Sequence, residues 1–215
     1  MTELTIRILS AIAMIAVALG AAVVGGYTFA VLAAAVATGM FYEWLRIVRG
    51  WGPAWAIGGF FYCLAPALAL LWIRDRSGAD GLALLLWVFL VTWATDIGAY
   101  FTGRRFGIRK LAPSISPNKT VEGLVGGVVA GVALGLVVAV FAGATPGQLP
   151  AVALVALVAV LFSVVGDLFE SLLKRQAGVK DSSNLIPGHG GLLDRVDGMV
   201  AALPAFALGK DMLGF

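Results

Sequence analysis

The chain runs apolar again and again for about as long as a lipid bilayer is thick, and few folds survive that constraint. An apolar helix of about 20 residues crosses the ~30 Å hydrocarbon core. Successive segments of this kind run roughly from Ile6 to Val24, Tyr27 to Trp44, Ala54 to Ile73, Leu82 to Thr102, Val121 to Ala142 and Ala151 to Leu173. A shorter seventh, Met199 to Phe215, is interrupted by Pro204 and Lys210. With 60% hydrophobic and 13% charged residues and a mean hydropathy of +0.98, the chain is more apolar than a soluble domain of its length needs to be. The sequence therefore predicts an all-α, polytopic integral membrane bundle of about seven transmembrane segments.

Local signals refine that picture. Gly25-Gly26 closes the first two segments into a hairpin. Arg7 ahead of an apolar run gives Met1 to Ile12 the look of a signal peptide, but the apolar character continues well past an ordinary signal core and no cleavage site stands out, so a retained helix is expected. Pro66 should kink the third helix unless neighbours satisfy the freed carbonyl. Gly123, Gly126, Gly127, Gly131 and Gly135 mark the fifth segment as a central helix, because small residues let helices approach closely in lipid. The single Cys63 lies in an apolar run and reads as a buried, inert thiol.

Lys and Arg are distributed asymmetrically. With the N-terminus inside, Arg7, Arg46, Arg49, Arg104, Arg105, Arg109, Lys110, Lys119, Lys174, Arg175, Lys180 and Arg195 fall on the cytoplasmic side, leaving Arg74, Arg76 and Lys210 outside. The uncharged loop from Gly143 to Pro150 then faces out. The bases lie in loops beside acids and form no basic stripe, so nucleic acid is not an expected partner.

Two acids sit inside apolar segments, where a carboxylate costs roughly 2.5 kcal/mol or more unless it meets a cavity or a partner. Asp96 shares a polar stripe with Thr92, Thr95 and Tyr100 and reads as the wall of a polar cavity, with structural glue as the plainer alternative. Glu43 stands three residues before Arg46 and reads as half of an interfacial ion pair.

The densest chemistry lies between Gly166 and Gly198, which holds Asp167, Glu170, Asp181, Asp194, Asp197, four bases and the only histidine. Asp167, Glu170, Ser171 and Lys174 follow an i, i+3, i+4, i+7 spacing and share one helical face, and Asp194 and Asp197 repeat the i, i+3 spacing. Asp167 and Asp194 can each be half of a salt bridge, with Lys174 or Arg195 as partner. Four carboxylates repel one another unless a cation sits among them, and Mg²⁺ takes a few carboxylates plus substrate oxygens. Metal coordination accounts for the cluster more simply. Lys174, Arg175, Lys180 and Arg195 offer donors to phosphate, while Gly188, Gly190 and Gly191 let backbone N–H groups turn toward an anion. Each has a plainer reading as a membrane anchor or a turn. His189, flanked by glycines, reads as a phosphate or base contact. Ser116, Asn118 and Lys119 form a second polar segment that can hold phosphate or merely connect helices.

Ser171-Leu-Leu-Lys174-Arg175, then Lys180-Asp181, then His189-Gly190-Gly191-Leu-Leu-Asp194-Arg195-Val-Asp197 resembles the signature of the phosphatidate cytidylyltransferases, integral membrane CDP-diacylglycerol synthases. Ser116-Pro117-Asn118-Lys119-Thr120-Val121-Glu122-Gly123 resembles a second stretch of the same family. The resemblance covers the C-terminal half, so the single membrane domain 1–215 divides into N-terminal helices at 1–103 and motif-bearing helices, with cytoplasmic catalytic loops, at 104–215. It implies CTP and phosphatidate as substrates, membrane lipid as partner and a homodimer. It also implies the bacterial inner membrane with the active site facing the cytoplasm, and Mg²⁺ at Asp167 and Asp194 with a second cation admitted. Asp197 and Lys174 join the catalytic set; Ser116, Asn118, Lys119, Ser171, Arg175, Lys180, His189 and Arg195 are the implied substrate contacts.

Rival classes fit less well. A CDP-alcohol phosphatidyltransferase motif needs an arginine where Asp197-Gly198-Met-Val-Ala201 is followed by Ala202. There is no Gly-x-x-x-x-Gly-Lys-Ser/Thr for a P-loop kinase. A secondary transporter would have buried acids and broken helices too, but also paired halves, whereas the polar residues here concentrate in two loops.

Overall fold

The computed structural model describes residues 3–76 and 80–213. Seven helices follow one another: α1 (Glu3–Val24), α2 (Gly26–Ile47), α3 (Pro53–Arg76), α4 (Gly81–Phe106), α5 (Val121–Phe141), α6 (Leu149–Gln176) and α7 (Leu193–Leu213). Between α4 and α5 lies an antiparallel hairpin, β1 (Lys110–Ala112) and β2 (Ser116–Thr120). The chain is thus a helical membrane protein, and every apolar run of the sequence appears as a helix. The end of the seventh run, Gly214–Phe215, and the side chain of Arg76 lie outside the described residues.

Six of the helices, α1 to α6, are long and apolar enough to cross a membrane. α7 falls short of the seventh span expected, because Asp194, Arg195 and Asp197 occupy its first turns and Lys210 and Asp211 its last. Large apolar side chains stand outward, Tyr27 with 91% and Phe141 with 88% of their surface exposed. That outward display suits hydrocarbon rather than water.

Two compact units make up the chain: Met1–Leu82 with Leu172–Asp197, and Ala83–Ser171 with Gly198–Phe215. In the first, Ala22, Met40, Trp44, Cys63 and Ile73 are buried. Gly25 and Gly26 turn the chain between α1 and α2 in left-handed conformations, φ 69° and 53°. Arg74 of α3 then donates Nε to the Ala22 carbonyl at 2.7 Å, satisfying a carbonyl that the end of α1 leaves without a helical partner. α3 runs unbroken through Pro66.

In the second unit the glycines of α5 meet α4, as their spacing suggested. A methyl built on Gly127 would lie 2.8 Å from the Thr95 carbonyl, and Trp87 Nε1 donates to the Gly135 carbonyl at 2.9 Å. Val88 and Val91 of α4, Ala159 and Val160 of α6 and Phe206 of α7 are fully buried, with Phe206 packed on Trp87 at 5.1 Å between ring centroids.

The segment at 114–119 is not an open connector. Pro113 opens a turn closed by Ile115 N–H donating to the Ala112 carbonyl at 3.1 Å, which folds β2 back on β1. Proline at position 117 is tolerated because both strands of a two-stranded hairpin are edges. Thr120 ends β2 and caps α5, its Oγ1 accepting from Gly123 N–H at 3.0 Å. The Glu122 carboxylate accepts the backbone N–H groups of Ile108 and Arg109, both at 3.1 Å. The hairpin is therefore tied to the helix start at both ends.

Candidate active site

Because β2 runs straight into the cap of α5, Lys119 is held one residue ahead of a fixed helix terminus. Its ammonium meets the Asp167 carboxylate of α6, with which it forms a direct ion pair. Ser171, one turn along α6, lies 3.4 Å from the other Asp167 oxygen. The pair opens into a cleft of about 620 Å³ that Asp96, Arg104, Ser116 and Asn118 also line. Arg104 donates to the Tyr100 hydroxyl at 2.8 Å and leans over its ring. Asp96 is within electrostatic reach of both Asp167 and Lys119. Of the polar stripe expected on α4, Thr95, Asp96 and Tyr100 line the cleft, while the Thr92 and Thr95 hydroxyls bond back to the helix's own carbonyls.

A second constellation occupies the other unit. Lys174, in the last turn of α6, donates to Asp194 Oδ1 at 2.6 Å, and the Asp194 side chain is only 5% exposed. Its Oδ2 accepts the backbone N–H groups of Ser182 and Gly191, each at 2.9 Å. Burial pushes this carboxyl's pKa up, but Lys174 and the two N–H donors outweigh burial and hold it below its ordinary value.

Glu43 completes this network, and the ion pair with Arg46 expected from the sequence is not formed. The Glu43 side chain is fully buried, at 0% exposure. Oε1 accepts from Ser183 Oγ at 2.5 Å and Leu192 N–H at 2.8 Å; Oε2 accepts from Leu193 N–H at 2.8 Å. Ser182 Oγ stands 2.9 Å from both Glu43 Oε2 and Asp194 Oδ2, and its one proton serves one carboxylate at a time. Glu43 thus caps the start of α7 from α2 and holds the loop that carries the Asp194 donors. Arg46 instead lies over the Tyr42 ring, 5.9 Å from its centroid.

The remaining sequence-predicted residues are more dispersed. Arg175, Lys180 and Arg195 are exposed, and Asp197 is half-buried on α7. Arg175 reaches the Val179 carbonyl at 3.4 Å. His189 is half-buried, with Nδ1 3.0 Å from Ser10 Oγ of α1.

Among the described residues, no three His, Cys, Asp or Glu side chains gather as a ready metal cage. Mg²⁺ does not require one, since it completes its shell with water and phosphate oxygens. Asp167 suits such an ion: its Oδ1 has only the long Ser171 contact, and Asp96 lines the same cleft. Asp194 has Oδ2 committed to two backbone donors, so a cation there would have to share Oδ1 with the Lys174 ammonium.

Residues 50–210 match the model of the cytidylyltransferase family. The chain belongs to the cytidylyltransferase family. Among curated cytidylyltransferases, a phosphatidate cytidylyltransferase of Pseudomonas aeruginosa is 48% identical over 174 residues, 80% of this chain and 64% of that protein. One from Brucella suis is 37% identical over 249 aligned positions, covering 94% of this chain and 91% of that protein. One from Haemophilus influenzae is 49% identical over 130 residues, 59% of this chain and 45% of that protein. The Brucella alignment is longer than these 215 residues, so that relative carries segments this compact cytidylyltransferase lacks. Glu43 lies before the matched region.

Proposed function

We propose that this cytidylyltransferase joins CTP to phosphatidate, yielding CDP-diacylglycerol and pyrophosphate. Its relatives, phosphatidate cytidylyltransferases, support the reading. The observation that carries it is the ion pair between Lys119 and Asp167, which brings two polar segments 48 residues apart together in one cleft beside Asp96.

An oxygen of the lipid phosphate forms a bond to the α-phosphorus of CTP. The bond from that phosphorus to its bridging oxygen breaks, and the electron pair leaves with pyrophosphate. A phosphate monoester has a second pKa of about 6 and is already nucleophilic near neutral pH, so no side chain has to deprotonate it. The protein's work is then positioning and charge neutralisation. Lys119, Arg104, Ser116 and Asn118 face a phosphate group in the cleft with charged and neutral donors, and Asp167 keeps the Lys119 ammonium in place. Lys174 is held in the same way by Asp194. Ser171, Arg175, Lys180, His189 and Arg195 complete the proposed substrate contacts, with Asp197 beside Asp194 in the catalytic set. Mg²⁺, held by Asp167 with Asp96 as its neighbour and a second cation admitted at Asp194 Oδ1, would neutralise the charge gathering on pyrophosphate. With the N-terminus inside, twelve of the fifteen bases fall on the cytoplasmic side, which favours a site facing the cytoplasm. The bacterial relatives support an inner-membrane enzyme, and the resemblance to the family implies a homodimer.

Purified protein with Mg²⁺, phosphatidate and labelled CTP should transfer label into lipid. Asp167→Asn and Asp194→Asn should each abolish transfer while inserting normally into membranes. Folded wild-type protein that leaves the lipid unlabelled would overturn the function, and an active Asp167→Asn enzyme with unchanged Mg²⁺ dependence would overturn the metal assignment.

A further inference from the structure

A second cleft, of about 720 Å³, lies within the unit that holds Glu43 and Asp194, and of its lining the catalytic reading uses Lys180 alone. One wall is the end of α2 and the turn after it, with Tyr42, Arg46, Arg49 and Trp51; the other is the loop after α6, with Lys180 and Asn184. Both walls are built rather than slack. The turn is fixed by left-handed Gly50 and Gly52, φ 88° and 104°, and by Trp51 N–H donating to the Val48 carbonyl at 3.0 Å. Trp51 packs edge-on against Trp55, 5.0 Å between centroids. The facing loop is held through Ser182 and Ser183, which line the cleft and hydrogen-bond to buried Glu43.

Three cations converge here. Among the described residues none of Arg46, Arg49 and Lys180 has a carboxylate partner, and Asp181 is the one acid in the lining. Like charges held around a concave surface repel one another and raise the local concentration of anions, an arrangement that suits several phosphates better than one. The volume is that of a small-molecule site, and an aromatic ring at its edge suits a flat base.

We propose that this cleft binds the polyphosphate of the nucleotide, with Arg46 and Arg49 as its binding residues. The inference rests on the function proposed above. Both arginines precede the region matched by the family model, which therefore assigns them nothing. Phosphate is the shared chemistry of two sources, the nucleotide in water and the lipid headgroup in the bilayer. The nucleotide is favoured because three cations exceed what one headgroup requires and Trp51 stands beside them.

The test uses the full chain in detergent. Binding of CTP and of inorganic pyrophosphate is measured by calorimetry without lipid, and KM for a short-chain phosphatidate is measured separately. Arg46→Gln/Arg49→Gln should weaken both CTP and pyrophosphate at least tenfold and leave the phosphatidate KM unchanged. Arg46→Lys/Arg49→Lys, which keeps the charge, should recover most of the affinity and show that the first variant is folded. A raised phosphatidate KM with unchanged CTP binding would assign the cleft to the lipid instead. Unchanged values for both ligands would leave the arginines as interfacial anchors; either result overturns the proposal. Wild-type protein that turns over CTP while the variants bind normally refutes this inference alone, whereas wild-type protein that binds pyrophosphate but never labels lipid refutes the function alone.

Discussion

Replacing Glu43 by glutamine keeps the shape of the side chain and removes one acceptor. In the native network each carboxylate oxygen faces one backbone N–H, of Leu192 or Leu193, and one serine hydroxyl. The hydroxyls can rotate to accept from an amide NH₂, but the backbone N–H cannot. One buried N–H is therefore left pointing at another donor, at about 1–3 kcal/mol for each group left unsatisfied. The expected loss is about 3 kcal/mol for Glu43→Gln, and about 4–6 kcal/mol for Glu43→Ala, which orphans both N–H groups and opens a cavity. At about 2–4 °C per kcal/mol for a chain of this size, the glutamine variant should melt about 6–12 °C below wild type in detergent. An interfacial ion pair with Arg46 would be worth only about 0.2–0.5 kcal/mol, or about 1–2 °C. The two accounts are therefore separable in a single thermal scan, with Arg46→Ala as control. A Glu43→Gln protein melting within about 2 °C of wild type would refute the buried-clamp reading.

Lys119→Ala should lower kcat/KM for CTP or phosphatidate by at least roughly tenfold, about 1.4 kcal/mol of transition-state binding, while the protein stays folded; wild-type values for both substrates would reduce the hairpin to a connector. The Asp194 carboxyl is held below its ordinary value near 3.8, so its contribution to stability is present above that pH and is lost as pH falls through the lower folded value. Melting scans from pH 5 to pH 3 should accordingly show a steeper acid decline in wild type than in Asp194→Asn, and parallel declines would remove Asp194 from the account. In a Cys63→Ala background, Arg109→Cys and Lys180→Cys should label from the cytoplasmic face and Gly147→Cys from the other; Lys180→Cys and Gly147→Cys labelling equally from outside would overturn the orientation.

The helices were legible because each is written as a continuous apolar run, and hydrocarbon leaves the backbone of such a run little choice but to bond to itself. The glycine stripe of α5 was legible for the same reason, since in lipid close approach is what small residues are for. The hairpin was not. β1 and β2 are three and five residues long, too short for a period-2 pattern, and proline inside β2 argues against a strand unless both of its edges are known to be open. α7 is the one helix whose described residues are not apolar enough for a span by composition; its apolar middle carries Phe206 and Leu203 into a protein core, and burial in protein and burial in lipid select the same residues.

Glu43 and Lys119 show which spatial neighbours can be read from sequence and which cannot. Lys119 sits in a short segment whose Ser, Asn and Lys side chains suit phosphate, and the structure brings it to Asp167. Glu43 had a nearer candidate partner, Arg46 at i+3, and local spacing favoured that pair. What the spacing left out was burial. A carboxylate at 0% exposure needs donors that are also buried, and an arginine at the exposed end of a helix cannot supply them. The donors come instead from Ser182, Ser183, Leu192 and Leu193, about 140–150 positions away in sequence, and half of them are backbone N–H groups that no residue type advertises. The usable signal was energetic: an acid between Tyr42 and Trp44 in an apolar run must be fully satisfied somewhere, and a mobile interfacial pair does not satisfy it.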